Sequence, residues 1–150
     1  MRPALVLALA LVALAGTTTA DEKTDKALKE LEGTYLLVGL EGKGLKLTED
    51  DFKKVDDAER KIVIKGDQII AINKGKEDPA KLKIDASKSP AFIDITSTKD
   101  KKDEVNYGIY KIEKDGTLVI CAIEKGDAKD RPKEFKVNEK EIIIKLQKQK

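Results

Sequence analysis

The stretch at residues 105–123 constrains the fold most, because it contains two β-rich runs joined by Asp115-Gly116. Val, Ile and Tyr are frequent in both runs, and these side chains fit the pleated surface of a strand. Asp-Gly between such runs is typical of a two-residue type I′ turn, in which both central residues have positive φ. The stretch therefore predicts a tight antiparallel hairpin.

The turn also predicts which residues of the hairpin share a face, because directly opposed residues project to the same side of a sheet. A two-residue turn opposes Lys114 with Thr117, Ile112 with Val119, Tyr110 with Cys121, and Gly108 with Ile123. The apolar face would then consist of Tyr110, Ile112, Val119, Cys121 and Ile123. Leu118 and Ile120 would lie on the opposite, mixed face. One apolar and one mixed face are expected for a sheet that curves around an interior.

The charge pattern argues against a nucleic-acid partner. The chain of 150 residues carries 30 Lys and Arg and 28 Asp and Glu. The two signs alternate along most of the chain, which is typical of a solvated surface, whereas nucleic-acid binding gathers basic residues on one face. The length is sufficient for one domain with a sizeable core.

The cysteine and histidine counts exclude several kinds of site. Cys121 is the single cysteine, so no intramolecular disulfide can form, and its place on the apolar face predicts a buried, inert thiol. Histidine is absent, which removes Ser-His-Asp and Cys-His nucleophilic sites and the usual zinc sites. Paired acids such as Asp50-Asp51 fit helix capping and solvation. We therefore expect no catalysis, no metal and no cofactor.

The N-terminus has the pattern of a secretory signal peptide. Arg2 precedes an apolar run at residues 4–15, and small residues follow up to Ala20. We expect a signal peptide at residues 1–20, with Ala15 as the other candidate cleavage site, and a mature domain at residues 21–150. That domain would be periplasmic or secreted, without stable membrane insertion after cleavage. The apolar run is short for a membrane span, and an uncleaved anchor helix is the alternative.

The mature chain predicts two short helices, at residues 24–32 and 48–55, followed mainly by strands. Thr48 is the expected N-cap of the second helix. Besides the hairpin, strands are predicted at residues 34–40, 61–65, 68–73, 81–85, 91–98, 133–137 and 141–147. The hairpin around Gly66-Asp67 is ambiguous, because one register divides its isoleucines between two faces.

Short antiparallel strands joined by tight turns favour an up-and-down arrangement. Closing such a sheet removes its exposed edges. The sequence therefore predicts a mainly β protein, an antiparallel β-barrel of about eight strands with one or two short helices. A two-sheet sandwich is the alternative.

Several motifs, taken in order, resemble those of a known family. They are Leu31-Glu32-Gly33-Thr34-Tyr35, Ile84-Asp85, Pro90-Ala91-Phe92-Ile93-Asp94-Ile95-Thr96, Gly108-Ile109-Tyr110, Thr117-Leu118-Val119-Ile120-Cys121 and Arg131-Pro132-Lys133-Glu134-Phe135. The first resembles the G-x-W start of lipocalins, and the set resembles a small lipocalin-like family known chiefly from planctomycete bacteria. The resemblance implies a calycin-type barrel in an exported protein and little about function. The chain departs from the lipocalin pattern at Tyr35, which replaces the tryptophan, and in having no arginine on the last strand to stack over that ring.

Whether the interior is filled or hollow decides what such a barrel can do. Eight strands are just wide enough to be filled by their own side chains or to hold one small ligand, and both alternatives stay open. In a pocket, Tyr35 and Tyr110 would each present an apolar ring and a hydroxyl able to orient a ligand. The candidate ligand-binding residues of the interior are Tyr35, Tyr110, Ile112, Val119 and Cys121.

Asp94 is an acid between two isoleucines, and Arg131 is one of the few arginines. One interpretation is a cross-barrel ion pair that holds the Arg131-Pro132 loop. The other is that Asp94 faces solvent.

Two functions follow from these patterns. The first is an exported lipocalin-like protein that binds a small apolar or amphipathic ligand in the barrel. The second is a non-catalytic structural or interaction module of the cell envelope with a filled barrel, which meets another envelope protein. An outward apolar patch for that partner could include Ile109, Ile120, Ala122 and Ile143.

Overall fold

The computed structural model of the chain describes residues 19–97 and 103–150. Most of the predicted signal peptide, residues 1–18, lies outside the described residues. The helices are α1 (Ala20–Leu31) and α2 (Glu49–Phe52), with 3₁₀ turns at Asp57–Glu59 and Ala128–Asp130. The strands are β1 (Gly33–Gly42), β2 (Leu45–Leu47), β3 (Lys61–Lys65), β4 (Gln68–Asn73), β5 (Lys76–Asp85), β6 (Ala91–Ser97), β7 (Glu104–Ile112), β8 (Leu118–Ile123) and β9 (Glu141–Lys148).

These strands form one antiparallel sheet that closes on itself. Their order is β2-β1-β3-β4-β5-β6-β7-β8-β9, and β1 also pairs with β9. The long strand β1 makes closure possible, because its first residues pair with β3 while a bulge between Leu37 and Gly39 carries it along β9. Eight strands form the barrel, and β2 extends one end of β1. The predicted barrel is confirmed.

The register predicted for the central hairpin is wrong by one residue. Tyr110 lies opposite Ile120, and Ile112 lies opposite Leu118. The connection has three residues instead of two: the Gly116 amide donates to the Glu113 carbonyl at 2.9 Å, and Gly116 alone has positive φ, at 87°. This is a type I turn followed by a left-handed glycine.

The side chain of Asp115 explains why this turn is favoured. Its Oδ1 accepts a hydrogen bond from the Thr117 amide at 2.9 Å, and this bond holds the pKa of the carboxyl below its usual value. Asp115 therefore serves as a turn-stabilising acceptor and does not need the left-handed conformation that a type I′ turn requires.

The slip moves Val119, Cys121 and Ile123 off the predicted interior face, because a change of one residue reverses the face of every side chain on the second strand. Val119 and Cys121 are buried on the outer side of the barrel, in a cluster with Ile109 and Ile143. Ile112, on the first strand, keeps the predicted inner face but is 47% exposed because it lies at the end of β7. The interior residues of β8 are instead Leu118, Ile120 and Ala122.

The ambiguous hairpin of β3 and β4 divides its isoleucines between the two faces. Ile62 and Ile64 lie opposite Ala71 and Ile69 on the inner face. Ile70 lies opposite Val63 on the outer face. The split follows from the two-residue turn at Gly66-Asp67, which pairs Lys65 directly with Gln68.

Helix α1 closes one end of the barrel, which we call the closed end. Its side chains Ala27, Leu28 and Leu31 pack against the interior, and the Tyr35 hydroxyl donates to the Leu31 carbonyl at 2.7 Å. Lys148 Nζ donates to a carbonyl of the helix and lies 5.8 Å from the centroid of the Tyr35 ring. A tyrosine ring and a lysine thus lie together at the closed end of the barrel.

The segment at residues 124–140, which we call the strap, crosses the outside of the barrel. The strand predicted at residues 133–137 does not form, because both edges of β8 and of β9 are already paired. The segment instead packs Phe135 and Val137 on the outer cluster, and the Cys121 thiol contacts the Lys136 carbonyl at 3.6 Å. Ile109 and Ile143 of the predicted outward patch lie under this strap, whereas Ile120 and Ala122 face the interior.

Arg131 fastens the strap to the barrel. Its Nη1 donates to Asp94 Oδ1 at 2.6 Å, to the Gly108 carbonyl at 2.7 Å and to the Ile93 carbonyl at 3.3 Å. The guanidinium also lies 4.1 Å from the centroid of the Phe92 ring. The predicted Asp94–Arg131 pair is confirmed, but it lies on the outer surface and does not cross the barrel.

Candidate functional site

One part of the barrel interior, which we call the filled core, is packed solid. Its members come from α1 and seven of the strands, and the packing beneath helix α1 leaves them at most 7% exposed. They are Leu31, Tyr35, Ile64, Leu82, Ile84, Ile93, Tyr110, Leu118, Ile120, Ala122 and Leu146. Because large side chains from opposite walls meet here, this part of the interior contributes stability.

A second set of inward-facing apolar residues lies farther from α1. Five strands carry one such residue two positions beyond a filled-core residue, on the same face. The pairs are Tyr35 and Leu37 on β1, Ile64 and Ile62 on β3, Leu82 and Ala80 on β5, Ile93 and Ile95 on β6, and Leu146 and Ile144 on β9. In each pair the second residue lies toward the end of the barrel that α1 does not cover, which we call the open end.

We call this second set, with Ile69 and Ala71 of β4, the cup. Its residues are Leu37, Ile62, Ile69, Ala71, Ala80, Ile95 and Ile144. Ala71 is exposed and the other six are half-buried, although all seven face the inside of a closed barrel. Inward-facing apolar side chains keep access to solvent when the space between the walls is open.

A depression of about 580 Å³ lies at the open end, against the hairpin of β4 and β5. The β4–β5 hairpin alone lines it: Ala71, Asn73, Lys76 and Asp78 are on the inner face, Lys74 is in the turn, and Glu77 is on the outer face. Its volume is within the usual range of pockets for small molecules. The cup and this depression together form the candidate ligand site.

Polar side chains surround the cup at its rim. Asn106 lies opposite Ile95, and Ser97 lies opposite Ala80. Asn73 and Asp78 follow on β4 and β5. An amide offers both a donor and an acceptor, so this rim can meet the polar part of a ligand whose apolar part enters the cup.

Several charged groups near the rim already have partners, whereas Lys76 on the inner face has none within the described residues. The Arg60 guanidinium binds the Asp57 carboxylate at 2.5 Å and donates to the Leu37 carbonyl at 3.2 Å. Glu104 lies 3.9 Å from Lys125. The amides of Asn73 and Asn106 and the ammonium group of Lys76 are therefore the side chains best able to exchange water for a ligand.

The two tyrosines proposed as ligand-binding residues belong to the filled core. Burial raises the pKa of the Tyr35 hydroxyl, which is already bonded to α1. Burial also raises the pKa of Tyr110, helped by the negative charges of Glu30 and Asp85. Both rings lie in the interior as predicted, but they form the packed end beneath the cup and not its wall.

Cys121 is buried beneath the strap on the outer side of the barrel. Burial is the main cause that raises the pKa of its thiol to about 11, with a smaller contribution from the Glu141 carboxylate. At neutral pH the thiol stays protonated, and only a thiolate is a good nucleophile. The predicted burial of the thiol is confirmed.

The cup itself escaped prediction from the sequence, although a signal for it exists. The alternation at residues 80–84 and 91–97 identifies the inner face, but both cup and filled-core residues are isoleucine, leucine or alanine. Small residues on that face, Ala71 and Ala80, are the feature that distinguishes the cup.

Within residues 19–97 and 103–150, no group of three or more Asp, Glu and Cys side chains is arranged to hold a metal ion. Over the same residues, no helix is both long enough and apolar enough to cross a membrane. No family model, curated protein or solved structure matches the chain. The resemblance to a planctomycete lipocalin-like family therefore stays a prediction.

Proposed function

We propose that the mature domain is an exported, non-catalytic, lipocalin-like protein that binds a small apolar or amphipathic ligand in the open half of its barrel. The observation that carries the proposal is the partial exposure of the cup. Seven apolar residues face inward and yet remain open to solvent, and their polar neighbours lie at the rim. Water displaced from such a surface by an apolar ligand favours binding.

The proposal is tested by titrating the protein with N-phenyl-1-naphthylamine, an uncharged probe that fluoresces in apolar surroundings. Ala71→Phe places a ring in the cup, whereas Ile70→Phe places the same ring on the outer face of the same strand. We expect saturable binding by the unmodified protein, a loss of at least about tenfold in affinity with Ala71→Phe, and little change with Ile70→Phe. Equal affinities for all three proteins, or no binding, would contradict the proposal.

Export supports the same proposal and has its own test. The apolar run at residues 4–15 and the small residues up to Ala20 are typical of a cleaved secretory signal. N-terminal sequencing of protein recovered from the periplasm or the medium should find Asp21 first, or Gly16 if cleavage follows Ala15. Retention of the full apolar run in a membrane fraction would favour the anchor helix.

A structural or interaction module of the cell envelope is the second candidate. The filled core favours it, because a barrel that only displays its surface needs a packed interior. Native mass spectrometry of the protein purified from its own source separates the two candidates. A co-purified small molecule supports ligand binding, whereas a co-purified envelope protein with an empty barrel supports the module.

A further inference from the structure

We propose that the ligand of the cup is a single-chain amphiphile with an apolar chain of about eight carbons and a polar head that hydrogen-bonds to the amides of the rim. This inference rests on the proposed function and adds a limit on length and a preference for the head. The filled core sets the limit on chain length, and the rim sets the preference for the head group.

The depth of the cup follows from its wall on β4. Ile69 lies near the floor and Asn73 lies at the rim, so the wall spans about 13 Å of strand at about 3.3 Å per residue. Strands of an eight-stranded barrel tilt by about 40°, which leaves a depth of about 10 Å along the barrel axis.

The floor of the cup cannot give way without unpacking the filled core. Ile93, Leu82 and Tyr35 lie directly beneath it and are 0%, 3% and 2% exposed. An extended alkyl chain advances about 1.3 Å per carbon, since each bond is about 1.5 Å long and the chain zigzags. About eight carbons therefore fill the depth, and further carbons must remain in water.

The head group is inferred from what surrounds it. Asn73 and Asn106 present amides at the rim, and an amide can both donate to and accept from a hydroxyl. Arg60 is engaged with Asp57, Glu104 with Lys125, and Asp78 with another group, whereas Lys76 on the inner face has no such partner within the described residues. A hydroxyl head can bond to the amides without displacing any of these partners, and a cationic head would be repelled by Lys76.

The test is a series of 1-alkanols from four to twelve carbons, each used to displace N-phenyl-1-naphthylamine from the full mature domain. Each methylene that enters the cup should tighten binding by about fourfold. We expect this gain to continue to about eight carbons and then to stop. A gain that continues unchanged to twelve carbons would overturn the length limit and leave the proposed function intact.

Two matched variants locate the limit. Ile69→Ala removes carbons from the floor and should move the break by about two carbons toward longer chains. Ile70→Ala, on the outer face of the same strand, should leave the break in place. If both variants move the break, or neither does, the floor is not where we place it.

A third variant tests the head group. Asn106→Leu should weaken 1-octanol by about fivefold, the value of one hydrogen bond, and leave the break in chain length unchanged. Unchanged octanol affinity would overturn the assignment of the head to Asn106. Failure of every alkanol to displace a probe that does bind would overturn the length and head inference, and failure of the probe itself would overturn the proposed function.

Discussion

The filled core and the cup are built from the same kinds of residue on the same strands, yet one excludes water and the other admits it. On β6, Ile93 is 0% exposed, and Ile95, two residues farther along the same face, is half-buried. Composition therefore does not decide whether a barrel interior becomes core or pocket. What differs is the set of side chains that arrives from outside the wall.

At the closed end, α1 brings Leu28 and Leu31, and the rings of Tyr35 and Tyr110 fill the remaining width. The open end is instead flanked by short helical segments: α2 contacts β1, and the Lys74 amide of the β4–β5 turn donates to the Ala58 carbonyl of the 3₁₀ turn at 2.9 Å. The open half also has small residues on its walls. Ala71 and Ala80 lie on β4 and β5.

Gly108 shows how closely the walls approach at one point. A Cβ added there would lie 2.7 Å from the Cys121 carbonyl oxygen and 2.9 Å from the Ala122 side chain. A larger residue at this position would separate β7 from β8.

The largest expected difference between the filled core and the cup comes from truncating each of the two isoleucines of β6 in turn. Ile93→Ala should lower the free energy of unfolding by about 3–4 kcal/mol, because it leaves a cavity in packed surroundings. Ile95→Ala should cost about 1–2 kcal/mol, because its side chain already contacts water in the folded protein. Urea unfolding monitored by circular dichroism gives both values, and equal losses would show that the two regions do not differ in packing.

The Arg131 contact sharpens the comparison by separating the strap from the interior. Arg131→Gln should cost about 2 kcal/mol, because Asp94 is only partly exposed and loses its charged partner. Probe binding in the cup should stay unchanged, since the pair lies on the outer surface. A double-mutant cycle with Asp94→Asn measures the pair by itself, and additive losses would mean that the two residues do not interact.

The Tyr35 hydroxyl tests how α1 closes the barrel. Tyr35→Phe removes its bond to the Leu31 carbonyl and should cost about 1 kcal/mol. Tyr110→Phe is the matched control, since Tyr110 is also in the filled core but makes no such bond within the described residues. A loss that is the same for both variants would indicate that the bond to α1 does not contribute.

The smallest effect at neutral pH concerns Cys121, whose thiol has its pKa raised from 9.0 to about 11. A raised pKa means that the folded state favours the neutral thiol, so its contribution to stability is complete below pH 9 and is lost as the pH rises toward 11. The raised pKa values of Tyr35 and Tyr110 add a further loss above pH 10. In Cys121→Ala, the free energy of unfolding should fall less between pH 9 and 10, while the loss caused by the two tyrosines above pH 10 should remain. An unchanged pH dependence would contradict the burial of the thiol.

The sequence predicted the barrel because closure depends on many short antiparallel strands, and each strand carries its own signal. It placed the inner face correctly where alternation is clean, as at Leu82 and Ile84. It misplaced Val119 and Cys121 because strand β8 is apolar on both faces, so its register depended on the turn alone. Asp115-Gly116 fits both a two-residue and a three-residue turn, and the Asp115–Thr117 bond that decides between them is a three-dimensional contact.

The strand predicted within the strap, at residues 133–137, was wrong for a related reason. Phe135 and Val137 alternate as in a strand, but a strand needs a free edge, and closure of the barrel leaves none on β8 or β9. The Asp94–Arg131 pair could be proposed from the sequence because it joins an unusual acid to a rare arginine. Its position on the outer surface follows from the register of β6, which places Ile93 and Ile95 on the inner face and Asp94 on the outer face.

Cysteine accessibility tests the account most directly. Ile95→Cys and Ile93→Cys, each made in a Cys121→Ala background, differ in position by two residues on one face of one strand. Under native conditions, we expect methyl methanethiosulfonate to modify Ile95→Cys at least about 100-fold faster than Ile93→Cys, as read by mass spectrometry. Two equally slow rates would mean that the barrel is filled along its whole length, and two equally fast rates would mean that α1 does not close it.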